Sequence, residues 1–116
     1  MKAMVLHEVA GPLVESEETM PAMSSTQLLL RVECCAVCRT DLHIVDGELA
    51  APQFPLILGH QIVAYVEAMG DDVKGFEMGE RVGVPWLGKT CGHCLYCQRG
   101  QENLCDHADF TGYTLN

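Results

Sequence analysis

The sequence predicts a mainly β domain, barrel-like or sandwich-like, ending in a cysteine-rich lobe that a metal organises. Three observations carry this. Short apolar runs are separated by frequent glycines, 11 in 116 residues, a pattern that suits small all-β folds. The longest run, Gln27 to Val37, alternates with a period of two and reads as a strand. From Trp86 onward the chain is loop-like and carries four cysteines, a segment that metal can order without a hydrophobic core.

Taken in order, Lys2 to His7 is an apolar first strand, and Pro12 and Pro21 bracket an acidic connecting segment. Within the next strand Leu28, Leu30, Val32, Cys34 and Ala36 share one face, with Leu29, Arg31, Glu33 and Cys35 on the other. The vicinal pair Cys34 and Cys35 is therefore split across the strand, and at least one of them reads as a small packing residue. Arg39 to Val45 lacks Gly and Pro and reads as one or two helical turns, stopped by Asp46-Gly47. Pro52 and Pro55 mark a loop. His60 to Met69 is apolar and β-rich and ends at Gly70-Asp71-Asp72; Gly75 and Gly79 flank a turn before a strand at Arg81 to Val84. No internal repeat is present.

Length and composition bound the function. One domain is expected. A net charge of −9 with seven Lys and Arg leaves no basic face for phosphates, so nucleic acid is not an expected partner. No apolar run approaches the length of a membrane span. The opening Met1-Lys2-Ala3-Met4-Val5-Leu6-His7 has no secretory apolar region, and the cysteine count, seven, is odd. Both point to a reducing, cytoplasmic setting, where clustered cysteines signal metal or redox chemistry.

The cluster is Cys91, Cys94, Cys97 and Cys105. Four thiolates at two short gaps and one longer one meet the needs of a tetrahedral zinc ion. Three other readings compete with zinc. A disulfide framework fits poorly with an odd count. A ferredoxin-type iron–sulfur motif closes on Cys-Pro, whereas Cys105 is followed by Asp106. A thioredoxin-like pair leaves the remaining cysteines unexplained. A second constellation comprises Cys38-Arg39-Thr40-Asp41-Leu42-His43 and, further on, Gly59-His60-Gln61. Alone, its Cys and His read as a small core residue and a satisfied polar group.

Together with the lobe, these pieces resemble the zinc-dependent alcohol dehydrogenases of the medium-chain dehydrogenase/reductase family. The matching motifs are Cys-Arg-Thr-Asp-Leu-His at 38–43, Pro-Leu-Ile-Leu-Gly-His at 55–60, Gly-Phe-Glu-Met-Gly-Glu-Arg-Val at 75–82 and the cysteines at 91–105. The resemblance implies a GroES-like, partly open β-barrel over residues 1–116, with a protruding structural-zinc lobe at about 86–108. It implies Cys38 and His60 as ligands of a catalytic zinc, Asp41 as the carboxylate orienting His60, and Thr40 and His43 as the proton path. It implies Arg39 as a contact to the cofactor pyrophosphate and Trp86 as a wall of the substrate pocket, with a core or lobe-anchoring aromatic nearly as good a reading of Trp86. The implied reaction is oxidation of a small alcohol to an aldehyde or ketone, with hydride passing to NAD or NADP.

Two departures stand out. Gln61 replaces a Glu that many relatives carry after the zinc-ligand His, which makes the site one unit less negative. No Gly-x-Gly-x-x-Gly and no alternating strand–helix pattern occur, so the Rossmann cofactor domain and the third catalytic-zinc ligand are expected to lie outside this chain. On that basis the chain by itself is expected not to oxidise alcohols, and self-association through exposed apolar surface is expected. The competing functions are a non-enzymatic zinc-stabilised interaction module and a thiol redox sensor. Thr40, Asp41 and His43 favour the enzyme class, because a binding module has no use for a proton path beside a zinc ligand.

Overall fold

A computed structural model describes residues 1–50 and 53–116. Its strands are β1 (Lys2–Leu6), β2 (Leu13–Glu17), β3 (Leu28–Cys35), β4 (Leu56–Ile57), β5 (Ile62–Met69), β6 (Arg81–Val84), β7 (Leu87–Lys89) and β8 (Asp109–Phe110). Two helices, α1 (Arg39–Val45) and α2 (Leu95–Gln98), and a 3-10 turn at Glu102–Leu104 complete it. The strands form three antiparallel sheets in the orders β2-β1-β4, β3-β5-β6 and β7-β8. Among the described residues no ladder closes into a ring, as expected of a partly open barrel.

The expected first strand, β3, β5, β6 and α1 are all present, with the strand expected from His60 beginning at Ile62. Three readings need correction. The acidic segment after Pro12 contains β2, paired with β1 from Leu13↔Leu6 to Glu17↔Lys2. It is an edge strand whose outward glutamates conceal the apolar alternation, and such charges also protect an open edge. The stretch after Trp86 is not wholly loop: β7, α2, the 3-10 turn and β8 lie in it. The loop expected at Pro52 lies outside the described residues, and the short β4 follows Pro55.

The third correction concerns Cys34 and Cys35. The β3–β5 register slips between Leu29 and Leu30 and again between Val32 and Cys34. Past the second slip Cys34 and Cys35 oppose Val63 and Ile62 in step, so the pair still straddles the strand. Both cysteines are exposed, so neither is a buried packing residue.

The core explains where α1 sits. Leu6 of β1, Leu56 of β4 and Ile44 of α1 are fully buried against one another, joined by Val45, Leu49, Phe54, Leu58 and Tyr113. Burying each such side chain stabilises the fold by roughly 1.5–3 kcal/mol. The Ala10 N–H donates to the Val45 carbonyl (2.7 Å), fastening the end of α1 to the β1–β2 connection. The helix ends in a Schellman reversal: Gly47, at φ +75°, donates to the Ile44 carbonyl (3.2 Å) and Glu48 to the His43 carbonyl (2.9 Å).

A second close approach joins Gly112, at φ +69° and buried, to the backbone of Gly59. A Cβ at 112 would collide with the Gly59 amide and carbonyl. Gly75 has a similar φ of +82° but open space around it. Gly112→Ala is therefore expected to destabilise by roughly 1–3 kcal/mol more than Gly75→Ala; equal losses in urea denaturation would refute this packing.

Candidate metal sites and the cleft

In the lobe, Cys94 forms the N-cap of α2 and Cys97 lies one turn on, so helical geometry brings their sulfurs to 3.6 Å. Cys91 approaches Cys97 at 3.9 Å, and the four sulfurs of Cys91, Cys94, Cys97 and Cys105 all fall within 4.8 Å of one another. A tetrahedral zinc with Zn–S near 2.3 Å needs sulfur separations of about 3.8 Å, so the set fits zinc. Backbone N–H groups aim at the sulfurs: Cys94 N–H to Cys91 Sγ (3.3 Å), and Cys91 and His107 N–H to Cys105 Sγ (3.4 Å each). β7 and β8 pair at the base of the lobe through Leu87↔Phe110 and Lys89↔Asp109.

Two thiols of this set titrate apart. The backbone N–H of Cys97 is the main cause that lowers Cys94 to about 6, against an ordinary 9.0. Desolvation by burial, then the neighbouring Cys94 sulfur, raise Cys97 to about 11. The surroundings thus favour the thiolate at Cys94 and disfavour it at Cys97.

The second constellation is built on α1. Cys38 is its N-cap, and Asp41 at the third helical position reaches back to accept the Cys38 N–H with Oδ2 (2.7 Å). The other carboxylate oxygen, Oδ1, faces His60 Nδ1 at 3.3 Å. Both residues are buried, at 6 % and 4 % exposure, and these two atoms find no well-directed hydrogen-bond partner elsewhere. They satisfy each other only with the proton on Nδ1, which leaves Nε2 free as a ligand nitrogen. The donor chemistry at Cys38 and His60 thus suits zinc. Among the described residues, however, the only convergent group of three or more potential ligands is the four-cysteine set. Cys38 and His60 offer two of the three protein ligands a catalytic zinc takes.

Thr40, His60 and Trp86 line one open cleft of about 790 Å³, together with Gln61, Ile62 and Val84. Cys38 Sγ lies 3.7 Å from Thr40 Oγ1. Trp86 meets the His60 ring edge-on at 4.7 Å and stacks on Phe110 at 4.8 Å. Tyr113 stacks on it further out, at 5.7 Å. Trp86 thus lies between the cleft and the base of the lobe. Arg39 is exposed and enters none of the described ion pairs. His43 does not line the cleft, and its Nδ1 pairs with the carboxylate of Glu48. Glu48 was missed in the sequence, although the Asp46-Gly47 stop foretells that the next residue folds back beside His43.

These features define a zinc-site β domain with a cleft beside a buried Asp–His pair. The chain belongs to the alcohol dehydrogenase GroES-like domain family, whose profile matches residues 24–114. It is 42% identical over 117 residues to an alcohol dehydrogenase of Geobacillus stearothermophilus, covering 100% of this chain and 35% of that one. An alcohol dehydrogenase of Moraxella sp. is 39% identical over the same span, again covering 100% and 35%. The solved alcohol dehydrogenase of the archaeon Aeropyrum pernix superposes with a TM-score of 0.88 at 33% identity, covering 100% of this chain and 35% of that one. A zinc-binding dehydrogenase from Sinorhizobium meliloti, bound to NADP, gives 0.88 at 30%, covering 99% and 33%. The chain thus spans about a third of the length of the relatives it matches. No helix among the described residues is long and apolar enough to cross a membrane.

The lobe makes a direct prediction. The purified chain is expected to retain about one zinc through dialysis against a chelator, held by the four cysteines, with the Cys38 and His60 pair left empty. Cys97→Ser should remove that zinc and lower the melting temperature. Because thiolates bind metal only when deprotonated, zinc retention should fall as pH falls. Elemental analysis finding two tightly held zincs, or undiminished zinc in Cys97→Ser, would contradict the assignment.

Proposed function

We propose that this chain is the zinc-bearing catalytic portion of an alcohol dehydrogenase, which oxidises a small alcohol to an aldehyde or ketone and passes the hydride to NAD or NADP. The observation that supports it most is the Asp41 carboxylate spanning the Cys38 N–H and His60 Nδ1, beside a cleft that also holds Thr40. A module used only for binding gains nothing from a buried carboxylate and imidazole set behind an open cleft.

In this reading Cys38 and His60 hold the catalytic zinc, with a third ligand from elsewhere in the enzyme, and Cys91, Cys94, Cys97 and Cys105 hold the structural one. Zinc at the catalytic site supplies Lewis-acid polarisation of the substrate oxygen. Thr40 accepts the alcohol proton at Oγ1, and His43, half-buried on the same helix, carries it toward solvent. Asp41 fixes the tautomer and orientation of His60. Trp86, Ile62 and Val84 give the cleft apolar walls that limit substrate bulk. Gln61, exposed at the cleft, cannot offer a carboxylate to the metal. Arg39, exposed on the surface, would contact the cofactor phosphates, which a guanidinium fork suits. The reading includes a nucleotide-binding domain as partner, self-association through exposed apolar residues such as Val37 (80 % exposed), and a cytoplasmic setting, which suits seven cysteines that are all unpaired.

A chimera tests this reading. Residues 1–116 would replace the matching third of the Geobacillus stearothermophilus enzyme. The chimera is expected to reduce NAD or NADP in an alcohol-dependent manner, and Thr40→Ala to cut kcat by about a hundredfold. The chain by itself is expected to show no turnover. A folded, cofactor-binding chimera with no alcohol-dependent activity would sink the proposal.

A further inference from the structure

We propose that Glu48 is a positioning residue for His43, whose carboxylate holds the proton on ring Nδ1 and leaves Nε2 as the base. This rests on the reading above, in which His43 carries the alcohol proton. The backbone supplies the placement. The Schellman reversal sets the Glu48 N–H on the His43 carbonyl at 2.9 Å, so the two residues are fixed side by side by main-chain hydrogen bonds. Their side chains then meet, with the Glu48 carboxylate on His43 Nδ1.

The chemistry follows from what each atom can do. An ionised carboxylate only accepts, so the nitrogen facing it must donate. In the neutral ring that assigns the single proton to Nδ1 and the lone pair to Nε2. A proton arriving at Nε2 makes an imidazolium, which the adjacent carboxylate stabilises. The proton then leaves to water from Nε2, and the Nδ1 proton never moves. Both partners reach solvent, His43 at 35% and Glu48 at 54% side-chain exposure, so the ring connects the helix face to bulk water. Without Glu48 the backbone reversal would still form, but nothing in the described contacts would choose the tautomer. Asp41 and Glu48 thus do the same work at two imidazoles, His60 and His43: each carboxylate takes Nδ1 and frees Nε2.

The test needs no turnover. The chain, labelled with nitrogen-15 and supplied with zinc, is examined by long-range proton–nitrogen correlation at a pH where His43 is neutral, with His43→Gln used for assignment. Wild type is expected to show the Nδ1–H form. Glu48→Ala should cross over to the Nε2–H form, and Glu48→Asp should restore the original pattern. The His60 and His93 signals should stay in place as evidence of an intact fold. His43 found mainly as Nε2–H in wild type, or still Nδ1–H in Glu48→Ala, would overturn the proposal. Should Glu48→Ala fail to fold, the wild-type pattern decides the first point, and Glu48→Gln, expected to give a mixed tautomer, decides the second. An inactive chimera with this tautomer pattern intact would count against the dehydrogenase reading and leave the role of Glu48 in place.

Discussion

The Asp41 carboxylate is the constraint on which the cleft depends. One oxygen ties down the N-cap of α1 through the Cys38 amide, and the other faces His60, which arrives from the far side of a loop. Two side chains 22 positions apart in sequence are thereby referred to one buried group. A buried carboxylate is costly to leave without partners. Here that cost is offset by an amide and an imidazole, and it imposes order: were His60 to swing away, Oδ1 would be stranded. The packing agrees with this, because Ile44, one helical turn beyond Thr40, is fully buried against Leu6 and Leu56 and sets the height of the helix.

The two metal constellations divide the work differently from what their sequence signals suggest. The four-cysteine lobe is the louder motif, yet none of its sulfurs lines the cleft. Its connection to the cleft is mechanical. β8 closes the base of the lobe and delivers Phe110 onto Trp86, whose edge meets the His60 ring. Two residues later Gly112 lies on the Gly59 backbone, immediately before His60. The base of the lobe therefore braces His60 from one side while Asp41 braces it from the other. A metal that orders residues 91–105 would stiffen this support without taking part in the chemistry.

What was legible in the sequence was whatever depends on local pattern. The long strands β3 and β5 showed their apolar runs, and the four cysteines showed their spacing. The Gly-free stretch before Asp46-Gly47 revealed α1 to the residue at both ends. Hidden features are those created by pairing. β2 is a strand because β1 supplies its partners, while its own side chains are mostly charged. The slips in β3 exist only relative to β5, and the exposure of both Cys34 and Cys35 depends on what covers each face of the sheet, not on the alternation. The demand for glycine at 112 comes from the Gly59 backbone, which no local pattern announces.

Glu48 marks the boundary between these classes. The helix stop was readable, and a Schellman reversal follows from a glycine at that position, so the return of the next residue toward His43 is a consequence of local backbone geometry. What no local rule supplies is that the returning side chain should be a carboxylate aimed at a ring nitrogen. A helix of seven residues, Arg39–Val45, thus carries at one end the amide that fixes a buried acid and at the other a reversal that presents an exposed one. The two carboxylates differ in what surrounds them. Asp41, closed off from water, holds the Cys38 amide and orients an imidazole with no described path to solvent. Glu48, open to water, can orient its imidazole and also stabilise the charge formed when that ring passes a proton outward.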